Sequence, residues 1–467
     1  MLPAGPDGRT KRKTIGETGY TDMRRLLAFL FAMTLAFSAA MAEDEDLLIE
    51  EIVEDVLLDE DGKEVPLDEA VFPDSEAAGP DDSVQDAGDA GDQALSGEAF
   101  IPSRGSAYPA REGESGYWTL PMDITDEAAV WDMLMAPITV VDIGKKSGEK
   151  EQTYLYREPD EDSLKVGVVT CESQGVRVLE TREDGWALVE CYSSSFHATA
   201  VEAWNILVSG YIPTKYLKQV DPNPDMGIVV DKLTQRMYIF QEGKLLSTLL
   251  VSTGLVQWNG KKYQPYNETR SGEFLLMNKV GTLISDRLFC DMAIRFNAGD
   301  MMHEVPHVKN ADGTQNYGTT EPKLGTKCSH GCIRVQRYRT PEGVNMKWIW
   351  QQLKSQSKVK FVIWEDWQGR QIPVPEDDTP VYYNPDKGSY YHKGPFCYMA
   401  KNVTFQPFTY GELEQAPYNK LKTCPYCVPP ERVSEIEERN AQYAAGGDHD
   451  ELLTSLRQGY YEYLQGK

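Results

Sequence analysis

Ser329-His330-Gly331-Cys332-Ile333-Arg334 places a thiol, an imidazole and a guanidinium around one glycine. A thiol of ordinary pKa, about 8.5, is mostly protonated at neutral pH, so a working nucleophile needs a nearby base or positive charge. His330, His303 and His307 are the candidate bases. Gly331 lets the backbone approach a reacting carbonyl closely, and main-chain N–H groups there can hold an oxyanion. Arg334 offers a planar fork for a carboxylate or a main-chain carbonyl. A cysteine taken alone reads as a buried, inert thiol; with these neighbours it reads as a centre for covalent chemistry on a carboxylate-bearing substrate.

The hexapeptide resembles the signature of the L,D-transpeptidase (YkuD-type) catalytic domain: Ser/Thr-His-Gly-Cys, a hydrophobic residue, then Asn or Arg, with a histidine upstream. Ser329 through Arg334 match it at every position. Met301-Met302-His303-Glu304-Val305-Pro306-His307 supplies the upstream histidine. His303 is favoured over His307 because it directly follows the apolar pair that would end a strand. Glu304 stands where the family has a small residue, and the polar insert Asn310 to Lys323 lengthens the separation from Cys332.

The resemblance implies Cys332 as nucleophile, His303 as general base with its tautomer set by the main-chain carbonyl of Glu304, and His330 positioning or tuning the thiol. Ser329 opens the motif, the N–H groups of Gly331 and Cys332 form the oxyanion hole, and Arg334 holds the loop or a substrate carboxyl. It implies peptidoglycan stem peptides as substrate, a thioester intermediate, 3-3 cross-links as product, and no cofactor for catalysis. An L,D-carboxypeptidase would use the same residues with water as acceptor. A non-catalytic wall-binding protein would not need the intact hexapeptide, and a sortase would carry its arginine on a more distant strand.

Around the motif the chain is mainly β and multidomain. Gly227-Ile228-Val229-Val230-Asp231, Arg236 to Phe240 and Leu245 to Ser252 are short apolar runs separated by turn-forming stretches, and Val359 to Trp364 reads as a closing strand. Met346, Ile349, Trp350 and Leu353 recur at helical spacing. The resemblance covers residues 226–367 and implies a YkuD-like β-sandwich.

Arg24-Arg25, the apolar run Leu26 to Phe37 and Ala40-Met41-Ala42 have the three parts of a secretory signal, so residues 1–42 are expected to direct export, with the true start at Met1 or Met23. The expected location is extracytoplasmic, in the cell wall or periplasm, with membrane contact only through this signal or anchor. From Glu43 to Gly97 the only basic residue is Lys63, and residues 43–135 are expected to form an acidic, largely disordered linker. A formal net charge of −26 over 467 residues argues against nucleic acid as a partner.

Residues 136–222 hold several β-like runs, with Gly185-Trp186 and Gly210-Tyr211-Ile212-Pro213 near the end. That order resembles a bacterial SH3-like barrel, which implies a module that binds wall peptide or positions an enzyme. Of the eight cysteines, Cys171 and Cys191 fall on adjacent runs of this module, where a disulfide is one reading. Cys290 and Cys328 are either paired or spare thiols.

His392 and Cys397, then Cys424 and Cys427, form two close ligand pairs separated by a loop, the spacing of a closed tetrahedral zinc site. A disulfide with one spare thiol is the competing reading. Residues 378–430 resemble a small Ada-like metal-binding α+β module with histidine replacing one cysteine, which implies structural zinc. Residues 431–467 are expected to be helical.

Overall fold

The computed structural model describes residues 122–144, 151–196, 199–285, 287–353, 357–366, 371–397, 400, 403–444 and 448–466, together with short strands at 56–58 and 64–65. The expected signal region lies outside the described residues. Among these, no helix is long and apolar enough to cross a membrane.

The central sheet runs in the order Gly272–Leu275, Lys360–Trp364, Met226–Asp231, Arg236–Gln241, Lys244–Ser252, Ile333–Val335, Asp300–Glu304, Leu288–Asn297 and Lys279–Ser285. Two pairings are parallel, Met226–Asp231 with Lys360–Trp364 and Asp300–Glu304 with Ile333–Val335. The long strand Lys244–Ser252 joins the two halves, pairing with Arg236–Gln241 on one side and Ile333–Val335 on the other. Both halves bury their inner faces in one core. Phe296 of one half packs on Phe274 and Phe361 of the other, with ring centroids 5.4 and 5.1 Å apart. The result is a mainly β, YkuD-like sandwich.

Strand Met226–Asp231 is buried along its whole length because both faces are covered. Ile228 and Val230 enter the inner core, whereas Val229 faces outward with Tyr238, Phe240, Val362 and Trp364. Covering that outer face is the helix Glu127–Met135, through Val130, Met133 and Leu134. Asp126 caps its start by accepting from the Ala129 N–H at 3.1 Å. At its end buried Lys360 donates to the carbonyls of Met133 and Ala136, at 2.8 and 3.0 Å, and pairs with Glu273 at 2.7 Å.

Residues 43–135, read as a largely disordered linker, therefore include the helix that covers the outer face of the sandwich. They also contribute the strand Val56–Leu58, which pairs antiparallel with Lys279–Ser285 at the sheet edge. Composition averages over the window and hides both, since Val56-Leu57-Leu58 is a short island among acidic residues and the helix occupies only the last nine residues of the window.

Strands Lys165–Thr170, Gln152–Tyr156, Trp204–Pro213, Trp186–Ser194 and Arg177–Thr181 form a second, five-stranded sheet. Ile138–Val141 pairs with Leu217–Val220 beside it. Cys171 and Cys191 are both buried thiols in its core. The last helix, Asp448–Leu464, returns to this module: Tyr460 Oη donates to Val166 O at 2.6 Å and Tyr463 Oη to Lys165 O at 3.0 Å.

A four-stranded sheet, Gln406–Thr409, Pro380–Tyr383, Tyr390–His392 and Lys422–Thr423, carries the C-terminal cysteines. Its Cys-x-x-Cys segment rests on the residues that leave the Ile333–Val335 strand. Tyr426 and Tyr338 meet edge to face at 4.5 Å, and Gln336 Nε2 donates to Tyr426 O at 3.4 Å.

Candidate active site

Parallel pairing sets Met302 opposite Ile333, His303 opposite Arg334 and Glu304 opposite Val335. Successive side chains on a strand alternate between faces. Met302, Ile333 and Val335 fill the inner core, so His303 and Arg334 share the other face with Met301, against which Cys332 packs together with Val280, Leu283, Cys290 and Ala293. The thiol and His303 thus arrive on one face through sheet register, although 28 residues of chain lie between them.

His303 Nδ1 lies 2.7 Å from the Glu304 carbonyl oxygen. A carbonyl only accepts, so Nδ1 carries the proton and Nε2 is the basic nitrogen. Burial pushes the imidazole pKa down to about 4, with Arg334 acting in the same direction and the Glu304 hydrogen bond opposing. His303 is therefore neutral across the physiological range. His307 is elsewhere: its Nδ1 is 3.6 Å from Asp291 Oδ2, and its ring stacks on Phe289 and tilts against Tyr317.

The motif closes into a tight turn. Ser329 Oγ donates to the Cys332 carbonyl and accepts from the Gly331 N–H at 3.3 Å. Gly331 has φ +122°, and a Cβ there would lie 2.5 Å from Asp300 Oδ1. Thr269 Oγ1 donates to Gly331 O at 2.8 Å. In a trans peptide the N–H points opposite the C=O, so this bond turns the Cys332 N–H away from Thr269. His330 stands outside the turn with Nε2 at 3.2 Å from Gln257 Nε2. Arg334 is 7% exposed and donates from Nη1 to Cys328 Sγ at 3.4 Å, which favours the loop-holding role over a substrate-facing one.

Beneath the motif are charged residues that sequence reasoning passed over. Arg270, with no exposed side-chain surface, pairs with Asp300 at 3.3 Å. Lys232, at the end of strand Met226–Asp231, pairs with Glu268 at 2.5 Å, Glu365 at 2.9 Å and Asp366 at 3.7 Å. Lys327 pairs with Asp366 at 2.6 Å and Glu268 at 3.2 Å. Burial opposes the charge on Lys232, but the carboxylates more than offset it and hold its pKa above the usual lysine value. The cluster ties together the turn after the first core strand, the 265–271 loop, the motif loop and the end of the last core strand. Lys232 lies in the turn between the first two core strands, and no local signal marks the carboxylates that surround it.

In the C-terminal module the ligand atoms of His392, Cys397, Cys424 and Cys427 all lie within 4.8 Å of one another, and all four residues are buried. Cys397 Sγ is 4.0 Å from Cys424 Sγ, and Cys427 Sγ is 3.5 Å from His392 Nδ1. Zinc bond lengths of about 2.0–2.3 Å require tetrahedral edges of roughly 3.4–3.8 Å, so the donor set fits a closed site. Lys393 N–H donates to Cys427 Sγ at 3.4 Å, as a thiolate ligand would accept.

The sandwich fold and the face that carries Cys332, His303 and Arg334 together form the candidate active site. Residues 225–382 match the family model of the YkuD L,D-transpeptidase catalytic domain. No curated protein matches the chain. Solved structures similar to it include an L,D-transpeptidase from Mycobacterium tuberculosis H37Rv, 13% identical, covering 52% of this chain and 86% of that one with a TM-score of 0.24. The catalytic domain of the E. faecium L,D-transpeptidase is 19% identical, covering 30% and 97%, with a TM-score of 0.19. An L,D-transpeptidase from Xylanimonas cellulosilytica is 15% identical with a TM-score of 0.22; 30% of this chain is covered, and the match spans 60% of that chain.

Proposed function

We propose that the protein is an exported peptidoglycan L,D-transpeptidase in which Cys332 is the nucleophile and His303 the general base. The observation that carries this reading is the parallel register of Asp300–Glu304 on Ile333–Val335, which brings His303 onto the face where Cys332 packs, within a segment matching the family model. Cys332 Sγ gives its proton to His303 Nε2 and attacks the carbonyl carbon of the third residue of a tetrapeptide stem. The peptide bond to the terminal D-Ala breaks, its nitrogen takes the proton from His303, and a thioester remains. The side-chain amine of a second stem then attacks the thioester, loses a proton to His303 and forms the 3-3 cross-link, returning the thiol. A thioester divides one difficult transamidation into two easier steps. In this reading the Cys332 N–H, turned away from Thr269 by the Thr269 bond to Gly331 O, donates to the tetrahedral oxyanion.

We further assign His392, Cys397, Cys424 and Cys427 a structural zinc ion. Four protein ligands leave no position for water or substrate, so the metal contributes folding energy to a small module rather than chemistry.

Mass spectrometry of purified muropeptides after incubation with the protein tests the reading. Cross-linked dimers with loss of D-Ala are expected. Tripeptides without dimers would mean water is the acceptor and the protein an L,D-carboxypeptidase. Cys332→Ala is expected to abolish D-Ala release while Cys328→Ser retains most of it; equal loss from both would refute the nucleophile assignment.

A further inference from the structure

For His303 to accept the Cys332 proton, an imidazolium must form in a buried place beside Arg334, where it is disfavoured. The transfer is feasible only if the sulfur anion is stabilised in compensation. Arg334 is engaged with Cys328 Sγ, and His330 lies outside the turn against Gln257.

Arg270 is placed to supply that stabilisation. Its Nη1 donates to Tyr266 O at 2.8 Å, Glu268 O at 3.1 Å and Asp300 Oδ2 at 3.3 Å, and its Nη2 donates to Ser195 O at 2.6 Å. The guanidinium sits 3.9 Å from the centroid of the Phe196 ring. A Cβ on Gly331 would be 3.5 Å from Arg270 Nη1, so the charge abuts the backbone of the residue before the nucleophile. Burial pushes the guanidinium below the usual arginine value, and Asp300, Glu268 and, more weakly, Cys332 oppose that shift.

The other charges nearby are mutually paired, Lys232 and Lys327 lying among Glu268, Glu365 and Asp366. Asp300 is shared between Arg270 and Arg295, and the Glu268 carboxylate is held by Lys232 and Lys327. His303 is neutral, and Arg334 adds a further cation on the motif strand. Cys290 is the other thiol in the cluster that Cys332 joins.

We propose that Arg270 is a positioning residue whose buried charge stabilises the Cys332 thiolate as the proton passes to His303 Nε2, with Asp300 fixing the guanidinium and tempering its field. The S–H bond breaks and the N–H bond forms, and no other reactant is needed. The inference rests on Cys332 being the nucleophile. It also makes the five-stranded module part of the active-site wall, since Ser195 and Phe196 hold the arginine from its side.

Alkylation of the full-length protein by iodoacetamide, followed across pH at the Cys332 peptide by mass spectrometry, reports the thiolate fraction without turnover. Wild type is expected to show a midpoint below the ordinary thiol value of about 8.5. Arg270→Met should raise the midpoint by about one unit, making alkylation at pH 7 roughly tenfold slower. Arg270→Lys should retain most of the wild-type value. Asp300→Asn, an isosteric change, should lower the midpoint. A packing role alone would leave the midpoint in place or move both charge-removing variants the same way, and either result overturns the proposal. Should Arg270→Met fail to fold, an unchanged or raised midpoint in Asp300→Asn overturns it by itself. Turnover surviving Cys332→Ala would instead refute the proposed nucleophile while leaving the alkylation shifts measurable, so the two failures are distinguishable.

Discussion

Gly331→Ala is the sharpest single perturbation of this site. The backbone there has φ +122°, and the added Cβ would stand 2.5 Å from Asp300 Oδ1, well inside van der Waals contact. Asp300 has little room to retreat: it is 2% exposed and paired with Arg270 at 3.3 Å. Holding an L-residue in that conformation costs about 1–3 kcal/mol. The overlap must be relieved by moving the turn, and with it the sulfur of Cys332. A displacement of about 1 Å at a reacting atom can cost roughly 100-fold in rate. D-Ala release from a tetrapeptide, measured with a coupled D-amino acid oxidase, is therefore expected to fall about 100-fold or more in kcat/KM, and Tm by several degrees at about 2–4 °C per kcal/mol. Gly185→Ala is the control. Its φ is +86° with nothing within 4 Å of the added carbon, so it should lower Tm through backbone strain and leave turnover intact. Full activity and an unchanged Tm in Gly331→Ala would refute the reasoning.

His303→Ala should slow acylation by about 10²–10⁴-fold, and His307→Ala far less, because His307 lies with Asp291, Phe289 and Tyr317; D-Ala release rates in the two variants check the ranking. The neutral His303 has a folded pKa of about 4, below its unfolded value near 6.5, so its stabilising contribution is present above 6.5 and lost as pH falls through 4. The acid limb of kcat/KM should accordingly fall near pH 4–5, and a limb centred at 6.5 would contradict a buried neutral base. The purified protein should contain about one zinc per chain, and chelation should loosen residues 378–430 without stopping turnover. A metal-free protein with a mapped disulfide between Cys397 and Cys424 or Cys427 would refute the zinc assignment.

Much of the sandwich is legible in the chain because its strands are written locally. Continuous apolar runs such as Gly227 to Val230 mark strands covered on both faces, and the observed strands fall within a residue or so of these runs. The hexapeptide around Cys332 is similarly local, since a tight turn, a thiol and a strand start occupy six adjacent positions. The His392/Cys397 and Cys424/Cys427 pairs are legible for the same reason, each being a short-range spacing. The helix Glu127–Met135 escaped because it is only nine residues long and falls at the end of a window whose acidic residues are concentrated in 43–97.

By itself, then, the sequence determined which residues are candidates for chemistry and which runs become strands, because those properties depend on side-chain type and on periods of a few residues. Only the tertiary structure decided which histidine faces the thiol, since parallel register places His303 rather than His307 opposite the motif strand. It alone brought Arg270, Asp300, Ser195 and Phe196 behind Gly331 and gathered Lys232, Lys327, Glu268, Glu365 and Asp366 into one buried cluster. A charged residue in a turn looks solvated until the partners that offset its burial are known. Those partners lie tens to more than a hundred residues away along the chain, at distances that local sequence patterns do not encode.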